Sequence, residues 1–192
     1  SKETEKILDI LKKRQVKATF FSIGRDDAFS KKMYQRIVKE GHTLGMHSYS
    51  HQYKEIYQSM DAFQADYERI SNCLTAATGI KPLYYRFPGG STEVTEKLQM
   101  TDLDAYLNAQ GASYFDWNVI AANNTTDDVS VNKMVDSVMN GVALYDTSIV
   151  LMYDSVDRKM TAKSLDSILD YLLKNGYEIL PIDENTIPIH HS

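Results

Sequence analysis

Two of the five histidines, His47 and His51, stand four residues apart in the run His47-Ser48-Tyr49-Ser50-His51. Imidazoles at this spacing can turn toward one point and hold one divalent ion through neutral ring nitrogens. Taken alone, the pair is better read as two loop histidines satisfied by hydrogen bonds or solvent, since short motifs match by chance. A zinc-protease reading is weaker still, because Ser48 occupies the place of the general-base glutamate. Other chemistry-bearing residues follow downstream: Arg86-Phe87-Pro88-Gly89-Gly90-Ser91, Asp116-Trp117-Asn118 and Leu151-Met152-Tyr153-Asp154. Each has a plain alternative. Arg86 suits a surface ion pair, Asp116 a turn cap, Trp117 the core, and Tyr153 packing with its hydroxyl tied to a neighbour.

The elements that must position these residues alternate. Helical periodicity covers 3–14, 31–40, 61–78, 101–110, 131–144 and 160–175. In the clearest of these, Phe63, Tyr67, Ile70, Leu74 and Ala77 share a face, and Gly79 supplies the stop. Gly41 stops the second helix in the same way. Short apolar strands are expected at 18–23, 43–47, 83–87, 112–117, 148–153 and 177–180. Strands alternating with helices predict an α/β fold with a parallel sheet and helical crossovers. In such folds functional residues gather at the C-terminal ends of strands. The histidine run, the arginine run, the Asp-Trp pair and Tyr153 all fall at those ends.

Composition narrows the classes. The chain has 192 residues, 43% of them hydrophobic, which suits one domain with a substantial core. A net charge of -5 with no basic cluster argues against nucleic acid as a partner. No apolar run reaches the ~18 residues that a membrane helix needs, and no signal peptide is visible. Cys73 stands alone in a helical pattern and reads as a buried thiol. Asp26-Asp27 reads as a solvated turn, Asn123-Asn124-Thr125-Thr126 as a polar turn, and His190 and His191 as a solvated tail.

In their order, these motifs resemble the polysaccharide deacetylases of carbohydrate esterase family 4, the NodB-homology domain. His47-Ser48-Tyr49-Ser50-His51 is similar to the family's metal-binding motif. Arg86-Phe87-Pro88-Gly89-Gly90-Ser91 resembles its arginine-proline motif, in the form common among peptidoglycan deacetylases, and Asp116-Trp117-Asn118 its Asp-Trp motif. Ile149-Val150-Leu151-Met152-Tyr153-Asp154 matches the last motif except at one position. The resemblance covers essentially the whole chain. It implies a distorted (β/α) barrel, (β/α)7-like with its first strand missing from this chain, as one domain over 1–192. It also implies metal-dependent hydrolysis of the acetamide of N-acetylglucosamine units in peptidoglycan or a chitin-like oligomer, at the bacterial cell surface or outside it. His47 and His51 would hold one divalent ion, most simply zinc, with cobalt or manganese as alternatives. Arg86 would keep a carboxylate base ionised, and a backbone N–H near Gly89 would help hold the oxyanion. Asp116 would orient the general acid. Phe87, Trp117 and Leu151 would contact substrate, the last two walling the acetyl pocket.

Two departures from the family pattern carry consequences. The first motif, Thr-Phe-Asp-Asp-Gly, holds the base and the third metal ligand, and it is expected just before Ser1. A chain without it should bind metal weakly and catalyse little. Tyr153 stands where the family has its last histidine, the general acid. A phenol stays protonated near neutral pH and matches proton transfer there less well than an imidazole. Two further readings follow: a carbohydrate-binding relative without catalysis, and an esterase acting on acetylated xylan.

Overall fold

In the computed structural model the described residues are 1–94, 97–121, 130–155 and 159–192. They form two compact units. One comprises Thr19–Asp116 with Asp183–Ser192, and the other Ser1–Ala18 with Trp117–Ile182. The expected turn at Asn123–Thr126 lies outside the described residues.

The first unit is built on a four-stranded sheet. Strands β1 (Thr19–Ser22), β2 (Thr43–Met46), β3 (Tyr84–Tyr85) and β4 (Ser113–Tyr114) pair in that order, all parallel. The helices between them supply the crossovers that parallel pairing requires. Ala28–Lys39 runs from β1 to β2, Met60–Thr78 from β2 to β3, and Met100–Ala109 from β3 to β4. A short helix, Tyr53–Ile56, precedes the longest one. The helix 60–78 shows why periodicity made it legible: Phe63, Tyr67, Ile70 and Leu74 are all buried on one face. Ser59 caps its start by accepting from the Ala62 N–H at 3.2 Å. Gly79, at φ 76°, ends it as expected, its N–H returning to the Thr75 carbonyl at 2.7 Å.

The core of this unit is aromatic. Phe63 lies 5.6 Å from Tyr85 and 5.8 Å from Phe87, and Phe87 lies 5.2 Å from Tyr114, each distance between ring centroids. Such offset and edge-on pairs add roughly 0.5–1.5 kcal/mol each beyond the area they bury. Phe87 is itself 0% exposed. It therefore anchors the loop after β3 rather than contacting substrate, which corrects the expectation for this residue. Its place in the sequence beside a functional arginine gave no sign of this.

The second unit pairs β5 (Val119–Ile120) with β6 (Val150–Leu151), again parallel. Helices Lys2–Arg14, Val131–Val142 and Lys159–Lys174 belong to it. Val119, Ala121, Met134, Val138, Val142, Ile168 and Leu172 form its core. Arg14 forks onto Asp166 with two 2.8 Å bonds and reaches Asp170 at 3.1 Å, tying the first helix to the last. The strand expected at 177–180 is absent among the described residues, and β5 is one that periodicity missed. The Tyr177 N–H is spent on the Leu172 carbonyl at 3.0 Å, closing the helix end through Gly176 at φ 78°. Tyr177 and Ile179 still pack against the core, so the apolar alternation was real while the ladder was not. A two-residue strand such as β5 is too short to show any period.

Candidate functional site

The histidine run leaves β2 and turns at once. The His47 N–H still bonds to the Ser22 carbonyl at 2.9 Å, extending the β1–β2 ladder by one residue. Two residues of the run then adopt left-handed backbone, Ser48 at φ 69° and His51 at φ 57°. Non-glycine residues rarely hold this conformation without outside support. Part of the support is local: the Ser48 hydroxyl accepts from the His51 N–H at 2.9 Å. Part comes from Gly24. A Cβ there would lie 2.2 Å from the Tyr49 ring, so only glycine lets the ring lie against the end of β1.

The two imidazoles come together, their ring centroids 5.0 Å apart. Nδ1 of His47 lies 2.7 Å from the Arg86 carbonyl oxygen. A carbonyl can only accept, so Nδ1 carries the proton and Nε2 keeps its lone pair. That is the arrangement of a histidine prepared to ligate a metal. Burial, and then the neighbouring His51 and Arg86 charges, hold the His47 ring down to about 3, against the pull of the Arg86 carbonyl. His51 is also held below the usual imidazole range, by burial first and the charge of Arg25 next, with Asp66 pulling the other way. Both shifts favour the neutral form that a metal needs. The two imidazoles could supply two ligands to a divalent cation, short of the three that catalytic zinc sites draw from protein. Among the described residues no group of three or more His, Cys, Asp or Glu side chains could hold one.

Arg86 is buried, 8% exposed, with its guanidinium carbon 4.2 Å from the centroid of the Phe21 ring. Its Nε donates to the Phe115 carbonyl at 2.9 Å and its Nη2 to the Asp116 carbonyl at 3.1 Å. The side chain thus fixes the end of β4, while its own carbonyl holds His47. Gly89 has φ 79°, and a Cβ there would meet Glu93 at 2.4 Å and Tyr53 at 3.0 Å. The Pro88 carbonyl accepts the Tyr57 hydroxyl at 2.9 Å, which steadies the same turn. Asp116 is 0% exposed. Its carboxylate accepts from the Ser91 N–H at 2.9 Å, the Ser91 hydroxyl at 2.6 Å and the His191 N–H at 2.8 Å.

The segment expected to be a solvated tail is therefore pinned. His190 stacks on Tyr114 at 3.8 Å, Asp116 N–H bonds to the Ile189 carbonyl at 2.8 Å, and Ser192 N–H bonds to Ser91 Oγ at 3.0 Å. A buried carboxylate needs donors, and this segment supplies one. Asp26 and Asp27 are exposed, as expected. Asp27 caps the helix 28–39 through Ser30, while Asp26 accepts the Tyr49 hydroxyl.

Trp117, Leu151 and Tyr153 lie in the second unit. Leu151 is 8% exposed on β6, and Tyr153 and Trp117 are partly buried. The Asn118 carboxamide accepts from the Ile149 N–H at 2.8 Å and donates to the Thr147 carbonyl at 3.1 Å, joining the starts of β5 and β6. The Thr4 hydroxyl donates to Asp154 at 2.8 Å. Ser91, named in the sequence only as the end of the arginine run, holds Asp116. Two residues of the first unit's site went unread in the sequence: Tyr53, whose ring is 5.3 Å from that of His51 and 37% exposed, and Asp66. A carboxylate on the helix face toward the preceding loop was the one available signal, and it looks like any helical Asp.

Comparison with known proteins gives the family. The family model described as polysaccharide deacetylase matches residues 1–107. The catalytic domain of a peptidoglycan N-acetylglucosamine deacetylase from Eubacterium rectale is 33% identical. It superposes with a TM-score of 0.91, covering 100% of this chain and 88% of that one. The chain belongs to the polysaccharide deacetylase family and has the α/β fold of its carbohydrate esterase family 4 members. The peptidoglycan-N-acetylglucosamine deacetylase PgdA of Listeria monocytogenes is 31% identical over 96% of the chain, and the putative polysaccharide deacetylase YheN of Bacillus subtilis 26% over 97%. The chain spans 36% of PgdA and 65% of YheN. A pseudoenzyme of the same family from Bacillus anthracis, 23% identical at a TM-score of 0.73, covers 93% of this chain and 58% of that one and shares the fold.

Proposed function

We propose that this chain serves metal-dependent N-deacetylation of N-acetylglucosamine units in a cell-wall polysaccharide, peptidoglycan or a chitin-like oligomer, at the cell surface. The observation that carries the reading is the His47 ring, its Nδ1–H held by the Arg86 carbonyl at 2.7 Å and its Nε2 left for a cation beside His51. A zinc-like ion bound there would polarise the acetamide carbonyl and acidify the attacking water. The chain's own residues do the rest. His47 and His51 bind in their neutral forms. The left-handed turn at Gly89 presents backbone N–H near the developing oxyanion. Arg86 and Asp116 hold the strand ends rigid. Trp117, Leu151 and Tyr153 belong to the other unit; in the family pattern the first two would wall the acetyl group and Tyr153 would donate a hydrogen bond to the departing nitrogen. Water adds to the acetyl carbon and gives up a proton, the C–N bond breaks, the nitrogen takes up that proton equivalent, and acetate leaves.

Tyr153 supports a second reading, a carbohydrate-binding relative that keeps the groove without turnover. One experiment separates the two. Acetate release from N-acetylglucosamine oligomers and from acetylated xylan is measured alongside cobalt(II) titration calorimetry. Cobalt binding with acetate release from the oligomer bears out the proposal. Oligomer binding without acetate release leaves the binder. Release that survives both chelator and the double substitution His47→Ala, His51→Ala ends the metal reading.

A further inference from the structure

The left-handed residues of the histidine run, Ser48 and His51, flank two backbone N–H groups that face one side chain. Asp66, on the helix 60–78, accepts from the Tyr49 N–H through Oδ2 at 2.9 Å and from the Ser50 N–H through Oδ1 at 3.0 Å. Consecutive N–H groups turned to one side form a concavity that an anion fills. Here the anion is a side chain carried by a rigid helix. Three residues further along the same face, Arg69 sets its guanidinium 3.7 Å from the centroid of the Tyr49 ring. The middle of the run is thus gripped twice, by backbone and by ring. Its two ends carry the imidazoles. Among the described residues no group of three or more His, Cys, Asp or Glu side chains could hold a metal, so Asp66 is not read as a third ligand.

We propose that Asp66 is the positioning residue of the candidate metal centre: it holds Tyr49 and Ser50 so that His47 and His51 converge. The inference rests on the metal reading above and deepens it. Partners that orient metal ligands typically contribute about 10–100-fold in affinity. Asp66→Asn keeps one acceptor and turns an N–H donor toward the other amide, and should weaken cobalt(II) binding about tenfold. Asp66→Ala loses both acceptors and should weaken it by up to about a hundredfold. Ser59→Ala is the comparison, since it removes the cap of the same helix, lowers stability and leaves the run untouched, so affinity should not move.

The test uses the intact protein, with cobalt(II) calorimetry and amide hydrogen exchange of the metal-free form. Graded loss of affinity together with faster exchange at Tyr49 and Ser50 bears the proposal out. Wild-type affinity in Asp66→Ala, or an equal loss in Ser59→Ala, overturns it. A wild-type protein that takes up no cobalt overturns the metal reading, while slow exchange at Tyr49 and Ser50, lost in Asp66→Asn, would still report the grip itself.

Discussion

Asp116→Asn is the sharpest test of how the end of β4 is held. The native carboxylate is fully buried and accepts three hydrogen bonds, two from Ser91 and one from the His191 N–H. Asparagine has the same shape but one acceptor atom. Its oxygen can keep the Ser91 N–H, and the Ser91 hydroxyl can rotate to accept from the new NH2. The His191 N–H then faces a donor. Stranding this part-buried donor against another donor costs roughly 1–3 kcal/mol, and a neutral bond falls about 1 kcal/mol short of a charged one. The expected loss is about 2–4 kcal/mol, with Asp116→Ala losing more because all three donors are stranded. Urea unfolding at pH 7, followed by fluorescence and circular dichroism together, reads the difference. Exchange at His191 and Ser192 should speed up in the same variants. An Asn variant within 1 kcal/mol of wild type, with the 189–192 segment still protected, would refute this account of the carboxylate.

Other expectations concern the turn and the site. Gly89→Ala, at φ 79° with Glu93 2.4 Å from the new Cβ, should lower stability by about 1–3 kcal/mol, read as a fall in Tm; an unchanged Tm rejects the crowding. His47 gives a pH signature in metal-free protein. Its folded value, about 3, lies below the ordinary 6.5, so the unfolded chain binds the extra proton. Stability from this group is complete above 6.5 and is lost as pH falls toward 3, by roughly 2 kcal/mol between pH 6.5 and 5 at about 1.4 kcal/mol per unit. His47→Gln should flatten that part of the profile, and an unaltered slope disproves it. Tyr153→His should raise acetate release near pH 7, because an imidazole transfers protons there better than a phenol; a variant no faster at any pH removes Tyr153 from the reaction.

What the sequence made legible divides by range. Phe63, Tyr67, Ile70 and Leu74 announce a helix because their spacing is local. Gly79 announces its end because φ 76° suits glycine best. The histidine run and Arg86 could be singled out because they fall at expected strand ends in the order of a known family's motifs. Phe87 could not be told from a groove residue, since its burial depends on Phe63 and Tyr114, each more than 20 positions away. The 189–192 segment looked like free tail because nothing local announces that a carboxylate at position 116 is short of a donor.

The same division explains Asp66. A metal pair is visible in sequence as two ligands, yet two ligands on an unsupported loop would pay in entropy for every alignment of their rings. The run supports itself only in part, through the Ser48 hydroxyl on the His51 N–H: its left-handed residues are a serine and a histidine, neither with glycine's freedom. Support must come from a rigid element packed beside it, and the helix 60–78 offers a carboxylate at the distance two adjacent N–H groups require. Periodicity reports this helix's buried face and says nothing of the residue between that face and solvent. A site of this kind is therefore read by asking, for each strained backbone turn, which neighbouring side chain makes it affordable.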